Sequence, residues 1–142
     1  MQFIKLDINY DENSTNSTFS ENNYEIYEKE TTVKNTETGE VFNVTFLIGL
    51  SDYDDRLYSL EVSDNFLEAG NITREELQSE INNVVNGDPE EPKLSPHASC
   101  IQWCNQHYTD ENGEKIKGRG GCKAGCWVDT TVRIIEALVP FA

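Results

Sequence analysis

The chain has 142 residues, 37% of them apolar and 10% aromatic, with 26 Asp and Glu against 11 Lys and Arg for a formal net charge of −15. That apolar content supports one folded core and excludes a wholly disordered chain. The excess of negative charge argues against nucleic acid as a partner, and no run approaches the roughly 18 consecutive apolar residues of a membrane-spanning helix.

The start, Met1 to Ile8, has neither the basic-then-apolar pattern nor the small-residue cleavage site of a secretory signal, so synthesis in the cytosol is expected. Ile4, Leu6, Ile8 and Tyr10 alternate with polar residues, the period of a half-buried strand. A polar stretch from Asp11 to Asn23 breaks it. Tyr24 to Val33, a turn over Asn35 to Glu40, and the apolar run Val41 to Leu50 together predict a β-hairpin. After a polar turn from Ser51 to Arg56, Leu57 to Val62 supplies a further strand. A helix follows: Thr73 and Glu76 have capping-box spacing, Leu77, Ile81, Val84 and Val85 fall on one face, and Gly87 is placed to stop it.

Pro89 and Pro92 mark residues 88–94 as a linker, and the composition changes across it. Residues 1–94 carry 21 acidic and 6 basic side chains, whereas residues 95–142 carry 5 of each. Three parts are therefore expected: an acidic sheet-plus-helix unit over 1–87, the linker, and a cysteine-containing segment over 95–142. The fold class implied is α+β, a small antiparallel sheet with one helix followed by a cysteine-linked helical segment.

In the last part, Ser95 and Pro96 predict a helix start, as N-cap and first helical residue. A helix to about Tyr108 would put His97, Cys100, Cys104 and His107 on one stripe. Gly118, Gly120 and Gly121 discourage helix before Cys122. Beyond Cys126 the sequence predicts a helix capped by Asp129 that buries Val132, Ile135, Leu138 and Val139, with a strand as the alternative.

Cys100 with Cys104 and Cys122 with Cys126 form two CX3C pairs. Residues four apart share a helix face, so two antiparallel helices could join Cys100 to Cys126 and Cys104 to Cys122 as parallel disulfide rungs, each contributing on the order of 3 kcal/mol. The alternatives are a tetrahedral zinc site, in which His97 or His107 could replace one thiolate, and unlinked thiols. No cofactor beyond that zinc alternative is expected. No catalytic constellation stands out: Gly118, Gly120, Gly121 and Lys123 do not match a phosphate loop, and Thr130, Thr131 and Glu136 have the spacing of an ester cross-link, one that arises readily by chance. The sequons at Asn13, Asn16, Asn43 and Asn71 require a secretory context.

The twin CX3C segment resembles α-hairpinin peptides and the small Tim chaperones over residues 100–126. Residues 41–87 carry a second resemblance. Val41-Phe42-Asn43-Val44-Thr45-Phe46-Leu47, Asp55 to Val62, and Ile72-Thr73-Arg74-Glu75-Glu76-Leu77 through Val85-Asn86-Gly87 are similar to the back half of nitrile-hydratase-like leader peptides, which precede short cores of ribosomally made peptide natural products. That resemblance implies a non-enzymatic, bacteriocin-like peptide precursor. Its acidic leader would be read by a processing enzyme or exporter, with Thr73, Glu76, Leu77, Ile81, Val84 and Val85 as a recognition helix. Its cross-linked tail would leave the cell by a non-Sec route, and the apolar end, Ile134 to Ala142, would contact membrane. Two alternatives accompany it: a binding or assembly protein with a disulfide- or zinc-stabilised docking arm, and an acidic inhibitor that mimics nucleic acid.

Overall fold

The computed structural model describes residues 2–8, 24–35, 38–51, 55–87 and 94–138, with side chains described as far as 134. Among the described residues, four strands, β1 (Phe3–Leu6), β2 (Tyr24–Lys34), β3 (Val41–Ser51) and β4 (Leu57–Ser63), form one antiparallel sheet in the order β1-β4-β3-β2. Four helices follow among the described residues: α1 (Asn65–Gly70), α2 (Arg74–Asn86), α3 (Ser95–His107) and α4 (Arg119–Leu138). The architecture is the expected α+β one, with the helical segment cross-linked by two disulfides.

The β2–β3 hairpin pairs from Tyr24 with Ser51 to Lys34 with Val41. Its turn is closed by the Asn35 N–H on the Glu40 carbonyl and the Gly39 N–H on the Asn35 carbonyl, both at 2.8 Å. Gly39 has φ +77°, a left-handed conformation that a Cβ would penalise. Because successive strand side chains alternate faces, Val44, Phe46, Ile48 and Leu50 of β3 lie beside Leu60 and Val62 of β4 and Leu6 of β1, all at most 1% exposed. The helices cover that face.

β1 is shorter than the alternation predicts. Pairing ends at Leu6, where α2 takes over the backbone: the Asp7 N–H donates to Gln78 Oε1 at 2.7 Å, Gln78 Nε2 donates to the Asp7 carbonyl at 2.6 Å, and Arg74 donates to the Lys5 carbonyl at 2.8 Å. Ile8 packs on the core; Tyr10, Asn13 and Asn16 lie outside the described residues. α2 has the predicted capping box, Thr73 accepting from the Glu76 N–H at 3.1 Å while Glu76 accepts from the Thr73 N–H at 3.2 Å.

Three features depart from the sequence expectations. α1 was not anticipated; it is a six-residue helix that swings Phe66 into the core edge-on to Phe46, and it ends on Asn71 in a left-handed conformation, φ 52°. α3 includes Ser95 in its first turn, Leu94 occupies the N-cap position, and no side chain caps it. The third correction is the largest. α4 is continuous from Arg119, so the glycines that discourage helix lie at and inside its start, and Asp129 is a mid-helix residue rather than a cap. Gly118, at φ +107°, turns the chain into the helix, and Gly120 sits so close to Tyr27 of β2 that a side chain there would collide with the ring. Val132 packs partly buried against the core; the side chains of Ile135, Glu136 and Leu138, and residue Val139, lie outside the described region.

Ala124, Trp127, Val128 and Ile134 of α4 belong to the same buried cluster as Phe46, Ile48, Leu60, Leu77 and Ile81. Residues on both sides of the sequence linker thus share one core. Residues 88–93 of that linker are outside the described region. Among the described residues, no helix is long and apolar enough to cross a membrane.

Candidate functional site

α3 and α4 form a helical hairpin whose sulfur geometry follows from the i, i+4 spacing. Cys100 is bonded to Cys126 and Cys104 to Cys122, each pair at a Cα–Cα distance of 5.8 Å. The rungs lie against each other, with Cys104 Sγ 3.6 Å from Cys126 Sγ, and Cys104 and Cys126 are buried. The four sulfurs that the sequence left open between cross-links, metal and free thiols are therefore engaged in disulfides.

The loop between the helices is held by its own polar contacts. Asp110 accepts from the Asn112 N–H at 2.9 Å and the Glu114 N–H at 2.8 Å, and the Ile116 N–H donates to the Tyr108 carbonyl at 2.8 Å. The outer side of the hairpin carries an aromatic cluster: His107 stacks on Trp103 with centroids 4.0 Å apart, and Tyr108 meets Trp103 edge-on at 6.4 Å. Trp103 is 51% exposed, and Ile116, whose N–H meets the Tyr108 carbonyl, is 40% exposed. Disulfides and loop contacts fix these side chains on a rigid platform, which lowers the entropic cost of using them in a contact.

On its inner side the hairpin is locked to the sheet by Asp55, which follows β3 with φ 60°. The carboxylate is fully buried and receives Lys115 Nζ at 2.8 Å, Arg119 Nε at 2.7 Å and Lys123 Nζ at 3.0 Å. Burial raises the pKa of Asp55, but hydrogen bonds from Lys115 and Lys123 and the charges on both outweigh it, so the carboxyl titrates below the usual carboxylate range. Arg119 also donates to Thr109 Oγ1 at 3.1 Å, tying the cluster to the loop.

Between α2, α3 and α4 runs a groove of about 420 Å³, lined by Val84 and Val85, Leu94 and Ile101, and Trp127, with Asp55 and Lys123 among its polar residues. His97 lies where it meets a smaller recess of about 110 Å³ beside Thr130 and Arg133. Its Nδ1 is 2.6 Å from Thr130 Oγ1 and its ring tilts against Trp127 at 4.3 Å. Burial, then the Arg133 charge, pushes its pKa down to about 4, with the hydrogen bond to the Cys126 backbone acting the other way. His97 is therefore neutral at pH 7.

The sequence-derived residues separate into groups. The four cysteines converge. His97 points at α4, whereas His107 is exposed, its Nδ1 2.9 Å from the Trp103 carbonyl, so the predicted stripe does not hold both imidazoles at the sulfurs. Leu77 and Ile81 of α2 are fully buried in the core, Val84 and Val85 line the groove, and Thr73 and Glu76 are spent on the capping box. Thr131 donates to the Trp127 carbonyl at 2.7 Å, the local bond of a helical threonine. Sequence reasoning missed the Asp55 cluster. Its parts are a polar turn and, 60 residues or more further along the chain, a loop lysine and two cations at the start of α4, and the one local signal is the preference of Asp for a left-handed turn position. No family model, no curated protein and no solved structure matches this chain.

Proposed function

We propose that the chain acts uncleaved as a protein-binding module, the sheet serving as the base and the disulfide-stapled α3–α4 hairpin as the contact arm. The observation that carries this reading is the shared interior. Severing the linker would not free a separate tail, because α4 supplies Trp127, Val128 and Ile134 to the core and, with Lys115 of the loop before it, the three cations to Asp55. Releasing the loop and α4 would expose the apolar sheet face and separate Asp55 from its three cations, a loss of several kcal/mol. The contact surface is centred on the exposed Trp103 and His107, with half-buried Tyr108 and exposed Ile116 beside them, since exposed aromatic residues on a rigid support are the usual anchors of protein interfaces. The partner is a protein offering an apolar pocket to Trp103. Two disulfides favour a working location where thiols do not stay reduced, so that the chain reaches oxidant after synthesis.

The peptide-precursor reading ranks second; the observation in its favour is that the nested disulfides would hold a released hairpin in shape. Intact mass of the species recovered from the native source decides between the two. The binding-module reading expects a single species that contains residues 1–87 and 95–142 in one chain, lighter by the four hydrogens of two disulfides, whose partner binding falls about 30-fold or more on Trp103→Ala. A C-terminal fragment beginning within residues 88–94 as the active species would establish the precursor instead.

A further inference from the structure

We propose that the two disulfides exchange, on reduction, for a four-thiolate zinc site made by Cys100, Cys104, Cys122 and Cys126. A tetrahedral zinc thiolate has Zn–S bonds of about 2.3 Å, which places neighbouring sulfurs about 3.8 Å apart. The contact between rungs already has that value: Cys104 Sγ and Cys126 Sγ are 3.6 Å apart, and the sulfurs of Cys100, Cys104 and Cys126 all lie within 4.8 Å of one another. Forming the site requires each S–S bond to open by roughly 2 Å, a displacement that side-chain rotation can supply from Cα atoms 5.8 Å apart.

The rest of the fold keeps the thiols together once the bonds are broken. α4 stays anchored through Trp127, Val128 and Ile134 in the core and through Arg119 and Lys123 on Asp55, and α3 packs on α4. Cys104 and Cys126 are buried, which excludes water from one side of the site. The histidines are not ligands: His97 is held on Thr130 and His107 on the Trp103 carbonyl.

The exchange balances with a dithiol reductant. Two dithiols each give two electrons and two protons to one protein disulfide and leave as disulfides, producing four cysteine thiols. Zn²⁺ then binds the four sulfurs and releases four protons. Soft thiolate donors in this number select zinc over magnesium or calcium.

The full chain, reduced anaerobically with a phosphine, freed of reductant and titrated with Co²⁺ and then Zn²⁺, tests the site. The expected result is one Co²⁺ per chain with the strong visible absorption of a tetrahedral four-sulfur complex, bleached by one equivalent of Zn²⁺. All four thiols should then resist an aromatic disulfide reagent until a chelator is added. His97→Gln and His107→Gln, each treated in the same way, should leave the cobalt spectrum unchanged, and Cys104→Ser should alter it. Absence of the tetrahedral spectrum, whether or not the reduced chain stays folded, would overturn the proposal. So would protection of fewer than four thiols, or a spectrum that shifts when either histidine is replaced.

Discussion

Asp55→Asn is the sharpest perturbation of this fold. Asn keeps the shape of the side chain and tolerates φ 60°, so backbone conformation is preserved and only the charge is removed. The three cations respond differently. Lys115 is 30% exposed and can turn into water, Arg119 is 14% exposed and retains Thr109, but Lys123 is 6% exposed and is left with a buried charge facing a neutral amide. At an effective dielectric of about 20, a unit pair 3 Å apart interacts by roughly 5 kcal/mol. Desolvation already offsets part of that in the native state, and loss of one partner of a buried pair typically costs about 3–5 kcal/mol. Against a total stability of about 5–15 kcal/mol this is a large fraction. Urea unfolding at pH 7, followed by emission of the buried Trp127, should show the midpoint falling by about 2 M at a slope near 2 kcal/mol/M. Lys123→Met alone should cost less, because Asp55 keeps two cations, and Lys123→Met added to Asp55→Asn should recover part of the loss. A midpoint for Asp55→Asn within about 0.3 M of the parent would refute the claim that this carboxylate locks the hairpin to the sheet.

The remaining predictions concern the staples, the two titrating groups His97 and Asp55, and the glycines of the helix start and the loop. Cys104→Ser with Cys122→Ser, or Cys100→Ser with Cys126→Ser, removes a loop constraint of 18 or 26 residues worth about 3 kcal/mol taken alone; because the rungs are nested, thermal unfolding should show that removing both costs less than twice that. His97 is neutral in the folded chain down to about pH 4 but titrates near 6.5 when unfolded, so the unfolded state binds more protons between those values. Stability should therefore fall as pH drops from 6.5 to 4, by at most about 2–3 kcal/mol, a slope that His97→Gln removes. Asp55 acts in a lower window: its depressed pKa stabilises the fold above the unfolded value near 3.8, and that contribution is lost as pH falls through the folded value, a second drop in acid titrations that Asp55→Asn lacks. Gly120→Val should collide with Tyr27 and lower stability by about 1–3 kcal/mol, whereas Gly113→Ala, at φ +81° in an exposed loop with open space around it, should cost only the backbone strain of about 1 kcal/mol.

The parts of the fold that were legible in the sequence are those governed by local rules. The hairpin follows from alternation and turn chemistry, α2 from its capping box, and the disulfide rungs from the fact that residues four apart share a helix face. The start of α4 was not legible, because local and long-range terms oppose each other there. Gly120 and Gly121 each cost the helix about 1 kcal/mol, but the Cys104–Cys122 bond, the ion pairs of Arg119 and Lys123 with Asp55, and the close approach to Tyr27 act together to hold it. α1 was missed for a related reason: six residues are too few for a helical period to stand out, and it is the burial of Phe66 that holds them in place. For the site, spacing identified the four cysteines but could not separate His97 from His107, since it does not say which part of a helix stripe faces a neighbour. The Asp55 cluster exists only once the chain has folded.

Cutting the chain in its linker tests the central claim most directly. With a specific protease site replacing residues 88–93, the oxidised protein is cleaved to completion and examined by size exclusion and urea unfolding. The two pieces should remain one particle and unfold in a single transition, held by the shared core and by Asp55. Elution of a folded residue 94–142 hairpin separate from the sheet would contradict it.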